Sequence, residues 1–149
     1  MGKRAMVGLL ACTLLFATML AGCGGTEVSF VSEGGTYTLE EVEYLHTTQT
    51  PPSSIKGRPV DEASDLRREA LIELRSRGGE SAELAEFVTQ TLADTGRSVP
   101  YYGEAASFDG TPSWILLEVW GVEGGTLEAT RLWVFERDTG MVVYSSTNR

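Results

Sequence analysis

Few residues in this chain have the type and spacing to do chemistry. His46 is the single histidine, and Cys12 and Cys23 are the only cysteines. No second soft ligand is therefore at hand for a zinc or copper site, and no metal or cofactor is assigned. His46 borders a polar stretch and is read as a solvated or hydrogen-bonded histidine rather than a catalytic one. The run Gly79-Glu80-Ser81-Ala82-Glu83 lacks the second glycine of a nucleophile elbow, and Ser81 is better explained as a helix cap. Lys56 stands alone, without the glycine-rich loop that cradles a phosphate. Carboxylates are plentiful, with 21 Asp and Glu. Glu118, set between Leu117 and Val119 in the most apolar stretch, is the one that burial could turn into an acid or base. If buried it needs a partner such as Arg131, and a structural ion pair outweighs an acid catalyst. No catalytic residue is assigned.

Cys23 differs because of what precedes it. Lys3 and Arg4 give a short basic start, residues 5–21 carry no charge, and Leu20-Ala21-Gly22-Cys23 closes the run. That is a charged n-region, an apolar h-region and small residues before a cut. The h-region is interrupted by Gly8, Cys12, Thr13 and Thr18, and is short for a bilayer span of about 20 apolar residues. Position for position, Leu20, Ala21, Gly22 and Cys23 resemble the lipobox of bacterial lipoprotein signal peptides. The resemblance implies a diacylglyceryl thioether on the Cys23 sulfur and cleavage between Gly22 and Cys23. Each buried methylene contributes about 0.8 kcal/mol and stable attachment needs two chains, which a diacylglyceryl group supplies. It also implies a protein anchored by lipid to the cell membrane and facing its extracytoplasmic side.

On this reading residues 1–22 are the signal peptide and 23–35 the lipidated N-terminus and spacer. Residues 36–149 then form one extracytoplasmic domain, large enough to fold without a metal or disulfide. Losing Cys12 and acylating Cys23 would leave no free thiol in it. The net charge of −9 drops by two, to −11, when Lys3 and Arg4 leave with the leader. Such a chain is repelled by nucleic acid and by anionic lipid head groups, and it has no basic patch to follow phosphates.

The elements follow from periodicity. Residues 27–31 fit a first strand closed by Gly34 and Gly35. Residues 36–46 suit either a helix, with Thr38 and Glu41 as a capping box, or a half-buried strand. The stretch 47–59, with three prolines and no period, predicts a mobile, partly extended loop. Asp61 is a plausible N-cap for a helix whose stripe is Ala63, Leu66, Ala70, Leu71 and Leu74, with Arg67, Arg68 and Arg75 on a solvated face. A second helix starting near Ser81 buries Leu84, Phe87, Val88 and Leu92. From Tyr101 the period becomes alternating, and Asp109-Gly110 predicts a hairpin turn. Residues 114–121 are apolar on both faces and should be central to the sheet. Turns at 123–125 and 137–140 complete the prediction: an α+β fold with two helices packed on one face of an antiparallel meander of three to four strands. Trp114, Trp120, Trp133, Phe135 and Tyr144 concentrate on that sheet, as core beneath the helices or as a stacking surface for a ligand.

The order of helix then hairpins, ending in Asp-Thr-Gly-Met-Val-Val-Tyr (138–144), resembles PepSY-type domains of exported bacterial proteins. The resemblance covers about the last half of the chain and implies an accessory or inhibitory binding role. The leading functional reading is a non-catalytic binding domain whose partner is another envelope protein. A small-molecule or ion-binding lipoprotein comes second and a carboxylate-dependent envelope hydrolase third. Metabolic labelling with a fatty-acid analogue is expected to mark the protein, and Cys23→Ser to abolish the mark. Unchanged labelling of the variant would exclude Cys23 as the acylated residue.

Overall fold

The computed structural model describes residues 26–149, so the leader and Cys23 lie outside the described residues. The elements are β1 (Ser29–Val31), β2 (Thr36–Tyr37), α1 (Leu39–Thr48), α2 (Ala63–Ser76) and α3 (Gly79–Thr91), then β3 (Ser98–Phe108), β4 (Thr111–Trp120), β5 (Ala129–Glu136) and β6 (Val142–Asn148). The α+β class is as expected, but with three helices and six strands rather than two and three to four. Among the described residues no helix is long and apolar enough to cross a membrane.

The last four strands form the expected antiparallel meander, with β4 between β3 and β5. The β3–β4 turn uses Asp109 and Gly110 at φ 46° and 81°, the left-handed pair that a two-residue hairpin demands. The two remaining strands were not foreseen as a pair. Both β1 and β2 lie along the outer edge of β3 and run parallel to it, Ser29 opposite Tyr102 and Tyr37 opposite Phe108. The ambiguity over residues 36–46 resolves into both alternatives: a two-residue strand, then a helix whose capping box of Thr38 and Glu41 is formed.

The two foreseen helices, α2 and α3, share one face of the sheet, and the third, α1, lies on the other. Alternation along β4 sends Trp114, Leu116, Glu118 and Trp120 to one face and Ile115, Leu117 and Val119 to the other. The first face is covered by α2 and α3. Gly103 meets Leu84 of α3 so closely that a Cβ there would stand 2.3 Å from Leu84 Cδ2. The Phe87 and Phe135 rings meet edge-on at 4.9 Å. The second face is covered by α1, whose His46 reaches Thr130 and Ser146 on β5 and β6. The α2 stripe is as predicted, with Ala63, Leu66, Ala70, Leu71 and Leu74 buried. Asp61, however, belongs to a short 3-10 turn at Val60–Glu62 and caps nothing by its side chain.

A buried ion pair ties α2 to the central strand. Arg67, expected on the solvated face, is 3% exposed and donates from Nη1 to Glu118 Oε1 at 2.8 Å. Its Nη2 donates to the Leu92 carbonyl at 3.0 Å, and Trp133 Nε1 donates to Glu118 Oε2 at 2.9 Å. Arg131, the expected partner, sits opposite Glu118 in the register but stacks on Trp120 and Trp133 instead. Removing one member of such a pair strands a charge in the core, at a cost of about 3–5 kcal/mol, whereas replacing both by apolar groups can be nearly neutral. Arg67→Met is therefore expected to lower the free energy of denaturant unfolding by about that much, and Arg67→Met with Glu118→Leu to recover most of it. Equal losses in the single and double variants would show that the pair itself contributes net stability.

Candidate functional site

The best-formed concavity lies where the described chain enters the fold. Thr26 and Val28 are buried, at 3% and 2% exposed, against the C-terminal half of α2. Thr26 Oγ1 donates to Glu69 Oε2 at 3.1 Å. Arg77, just past the end of α2, donates from Nη2 to the Val28 carbonyl at 2.6 Å and pairs with Glu73. The chain can leave α2 so abruptly because Gly78 adopts φ 71°, open to glycine without strain. On the other side, β3 bulges at Tyr101, between the paired positions Pro100 and Tyr102. The Tyr101 hydroxyl donates to the carbonyl of Gln49, the residue that ends α1, at 3.2 Å.

Between these walls runs an open groove of about 530 Å³. Phe30, Tyr101 and Tyr102 give it aromatic sides, Gln49 and Thr50 a polar rim beside Pro52, and Glu27 and Glu73 its carboxylates. The loop thus contributes its first residues to the site. It is not the mobile segment that its prolines suggested. Ile55 is fully buried, and residues 57–58 exchange backbone hydrogen bonds with Leu127, both at 2.8 Å. Sequence alone offered one apolar residue, Ile55, as a sign of that docking.

Behind Tyr102 lies a carboxylate that sequence reasoning missed. Glu104 is 1% exposed, on the face covered by α1. It accepts from the Gly35 amide at 2.8 Å, the Tyr37 hydroxyl at 3.0 and 3.1 Å and the Tyr102 hydroxyl at 2.6 Å. Burial and the bond to this carboxylate push the Tyr37 hydroxyl up to about 12, and Tyr102 is raised by the same causes. Both phenols therefore stay protonated as donors at neutral pH. A Cβ on Gly34 would stand 2.1 Å from Glu104 Oε1, so the Gly34–Gly35 pair was the signal of a close approach. Three neutral donors and almost no exposure make Glu104 an anchor for the 33–37 turn, with no reacting atom able to reach it.

The residues singled out in the sequence do not converge. His46 is 2% exposed, its Nδ1 and Nε2 each 3.0 Å from a hydroxyl, those of Ser146 and Thr130. Asn148 Nδ2 lies 3.4 Å from Nδ1, which favours the tautomer with Nε2–H donating to Thr130. Glu118 is committed to Arg67 and Trp133. Ser81 donates to the Leu74 carbonyl at 2.9 Å, joining the end of α2 to the start of α3 rather than capping a helix. Lys56 is exposed on the loop. Of the aromatic residues, Trp114 and Phe135 are core while Trp120, Trp133 and Tyr144 are half-buried. Among the described residues no three His, Cys, Asp or Glu side chains gather as a metal site requires.

Burial lowers the His46 pKa from 6.5, and the nearby Glu43 carboxylate offsets part of that. The folded protein then takes up this proton less readily than the unfolded chain. The contribution of His46 to stability is complete above pH 6.5 and is lost as pH falls through the lowered value. The denaturation midpoint should therefore fall more steeply from neutral pH to about pH 5 in wild type than in His46→Gln. Parallel profiles would show that His46 stays solvated.

No family model matches the chain, and no curated protein or solved structure matches it either.

Proposed function

We propose that this protein is a lipoprotein of the cell envelope, held to the membrane through Cys23, whose extracytoplasmic domain binds another envelope protein and performs no catalysis. The observation that carries the binding reading is the groove at the entry of the chain. Its volume of about 530 Å³ suits an extended segment of polypeptide. Its charged groups are Glu27, Glu73 and Arg77, and Arg77 is already engaged by Glu73 and the Val28 carbonyl. Glu27 is exposed and gives the groove an excess negative charge, so a partner segment carrying Lys or Arg fits it, with Phe30 and the two tyrosines accepting the aliphatic stems. The walls come from α2, β1 and β3, rigid elements that hold the start of the loop after α1 between them, an arrangement common at recognition sites. The titratable groups that could serve as acid, base or nucleophile are dispersed and mutually engaged elsewhere, which also favours binding over turnover.

A photo-crosslinking residue at Thr50 is expected to capture one discrete partner in whole cells through a basic segment, and the same residue at Ile72, exposed on α2, is not. Glu27→Lys should reduce the Thr50 product several-fold, the size expected of one rim charge. Identical products from Thr50 and Ile72, or a Thr50 product indifferent to Glu27→Lys, would remove the groove from the proposal.

A further inference from the structure

The tether proposed above is short, and the fold dictates which surface it holds down. Thr26 is already buried and bonded to Glu69, so the folded domain begins three residues after Cys23. Three fully extended residues span at most about 11 Å. A diacylated Cys23 would therefore keep the surface around Thr26 within that distance of the lipid glycerol, without the long spacer that would let the domain swing free.

The register places that surface at one end of the sheet. Because β1 runs parallel to β3, Thr26 precedes β1 at the end where β3 starts at Ser98. Antiparallel pairing brings the end of β4 at Trp120, the start of β5 at Ala129 and the end of β6 at Asn148 to the same place. The 121–128 turn and Arg149 share this end.

In a chain of net charge −9, this end carries Arg58, Arg97, Arg131 and Arg149 against Glu27 beside Thr26, Asp61 and Glu62 on the segment bridged to Thr126, and Glu123 and Glu128. Arg58 is paired with Glu62. Glu123 is bonded by Arg97 at 2.9 Å and Glu128 by the Thr126 hydroxyl at 3.0 Å. Arg131 and Arg149 have no carboxylate within 4.0 Å among the described residues. Both instead flank the Trp120 ring, their Cζ atoms 5.0 and 6.0 Å from its centroid. The Trp120 indole N–H is buried and has no acceptor among the described residues, so the ring edge and not the N–H is what this end presents. Beside it Val122 is 61% exposed, and a hollow of about 290 Å³ opens between Trp120, Thr126 and Arg149.

We propose that this end of the sheet, with Trp120, Val122, Arg131 and Arg149, rests on the bilayer and takes anionic phosphodiester headgroups. The inference rests on the lipoprotein reading and adds an orientation to it. Tryptophan settles at the level of the headgroups, with its ring in the apolar boundary. Guanidinium groups bind phosphate oxygens in a forked geometry, and anionic lipid strengthens the attraction. A lone charged patch could not hold so acidic a protein to a membrane. Beneath an existing tether it has only to select one face.

The test uses the full lipidated protein reconstituted into vesicles of phosphatidylcholine and phosphatidylglycerol with brominated acyl chains, which quench tryptophan at the boundary. Flotation with the vesicles reports the tether, and quenching reports the seating. The wild type is expected to float and to be quenched. Trp120→Phe should float equally and lose most of the quenchable emission, since Trp114 is buried and Trp133 lies beneath Arg131. Arg131→Gln with Arg149→Gln should reduce quenching while leaving Trp120 in place, and pure phosphatidylcholine should do the same to wild type. Failure to float would overturn the lipoprotein reading and this one with it. Flotation with quenching that is absent, or the same in Trp120→Phe, would overturn the seating alone.

Discussion

The interaction on which the arrangement of layers most depends is the buried pair of Arg67 and Glu118. A guanidinium and a carboxylate, 3% exposed each, stand where two helices meet the middle strand of the sheet. Taking both out of water costs several kcal/mol per ion, and only complete hydrogen bonding offsets it. Here Leu92, Ser98 and Trp133 supply the remaining bonds, so four elements and a loop are brought to one point. The side-chain period of a strand is two, so a slip of one residue in β4 would turn Glu118 to the opposite face and leave Arg67 alone in an apolar interior. The pair therefore opposes the wrong register as well as joining the right one.

That pair also marks the boundary of what could be read from the residues. The meander, the central place of residues 114–121 and the two helices over residues 63–92 were legible, because period two and period 3.6 are written in many consecutive side chains. The partner of Glu118 was not. An arginine on a helix among Arg68, Glu69 and Arg75 looks like a solvated face, and nothing local distinguishes the one that turns inward. The same limit applies to β1 and β2. A first strand at residues 27–31 was legible, but two or three residues carry too little pattern to announce a partner, and parallel pairing with β3 joins segments about 70 residues apart. The α1 helix was visible from its capping box, but its placement on the opposite face depends on contacts with β5 and β6. Of the candidate site, only the loop residues Thr50 and Pro52 were in view. Its walls come together through the bulge at Tyr101 and the turn at Gly78.

The two faces of the sheet are stabilised differently. Beneath α2 and α3 the layer is aromatic and aliphatic, with one charged pair buried within it. Beneath α1, a single helix of ten residues, polar groups take a larger share. His46 is clasped between two hydroxyls, and Glu104 is held by an amide and two phenols. A thin cover buries less apolar area, and directional bonds then decide where the helix lies. The groove opens along the border between these two regimes, which accounts for walls that are aromatic on one side and polar on the other.

The parallel edge has a consequence for how the molecule reaches its folded state. The first segments of the domain wait for much later ones: β1 and β2 need β3, and His46 meets a hydroxyl 100 residues further on. Such long-range pairings must close large loops before they gain anything, which slows folding. The leading residues of the domain cannot lock prematurely, because the strands that would receive them come later in the chain. Order of assembly, in this chain, runs from the C-terminal meander back to the N-terminal edge.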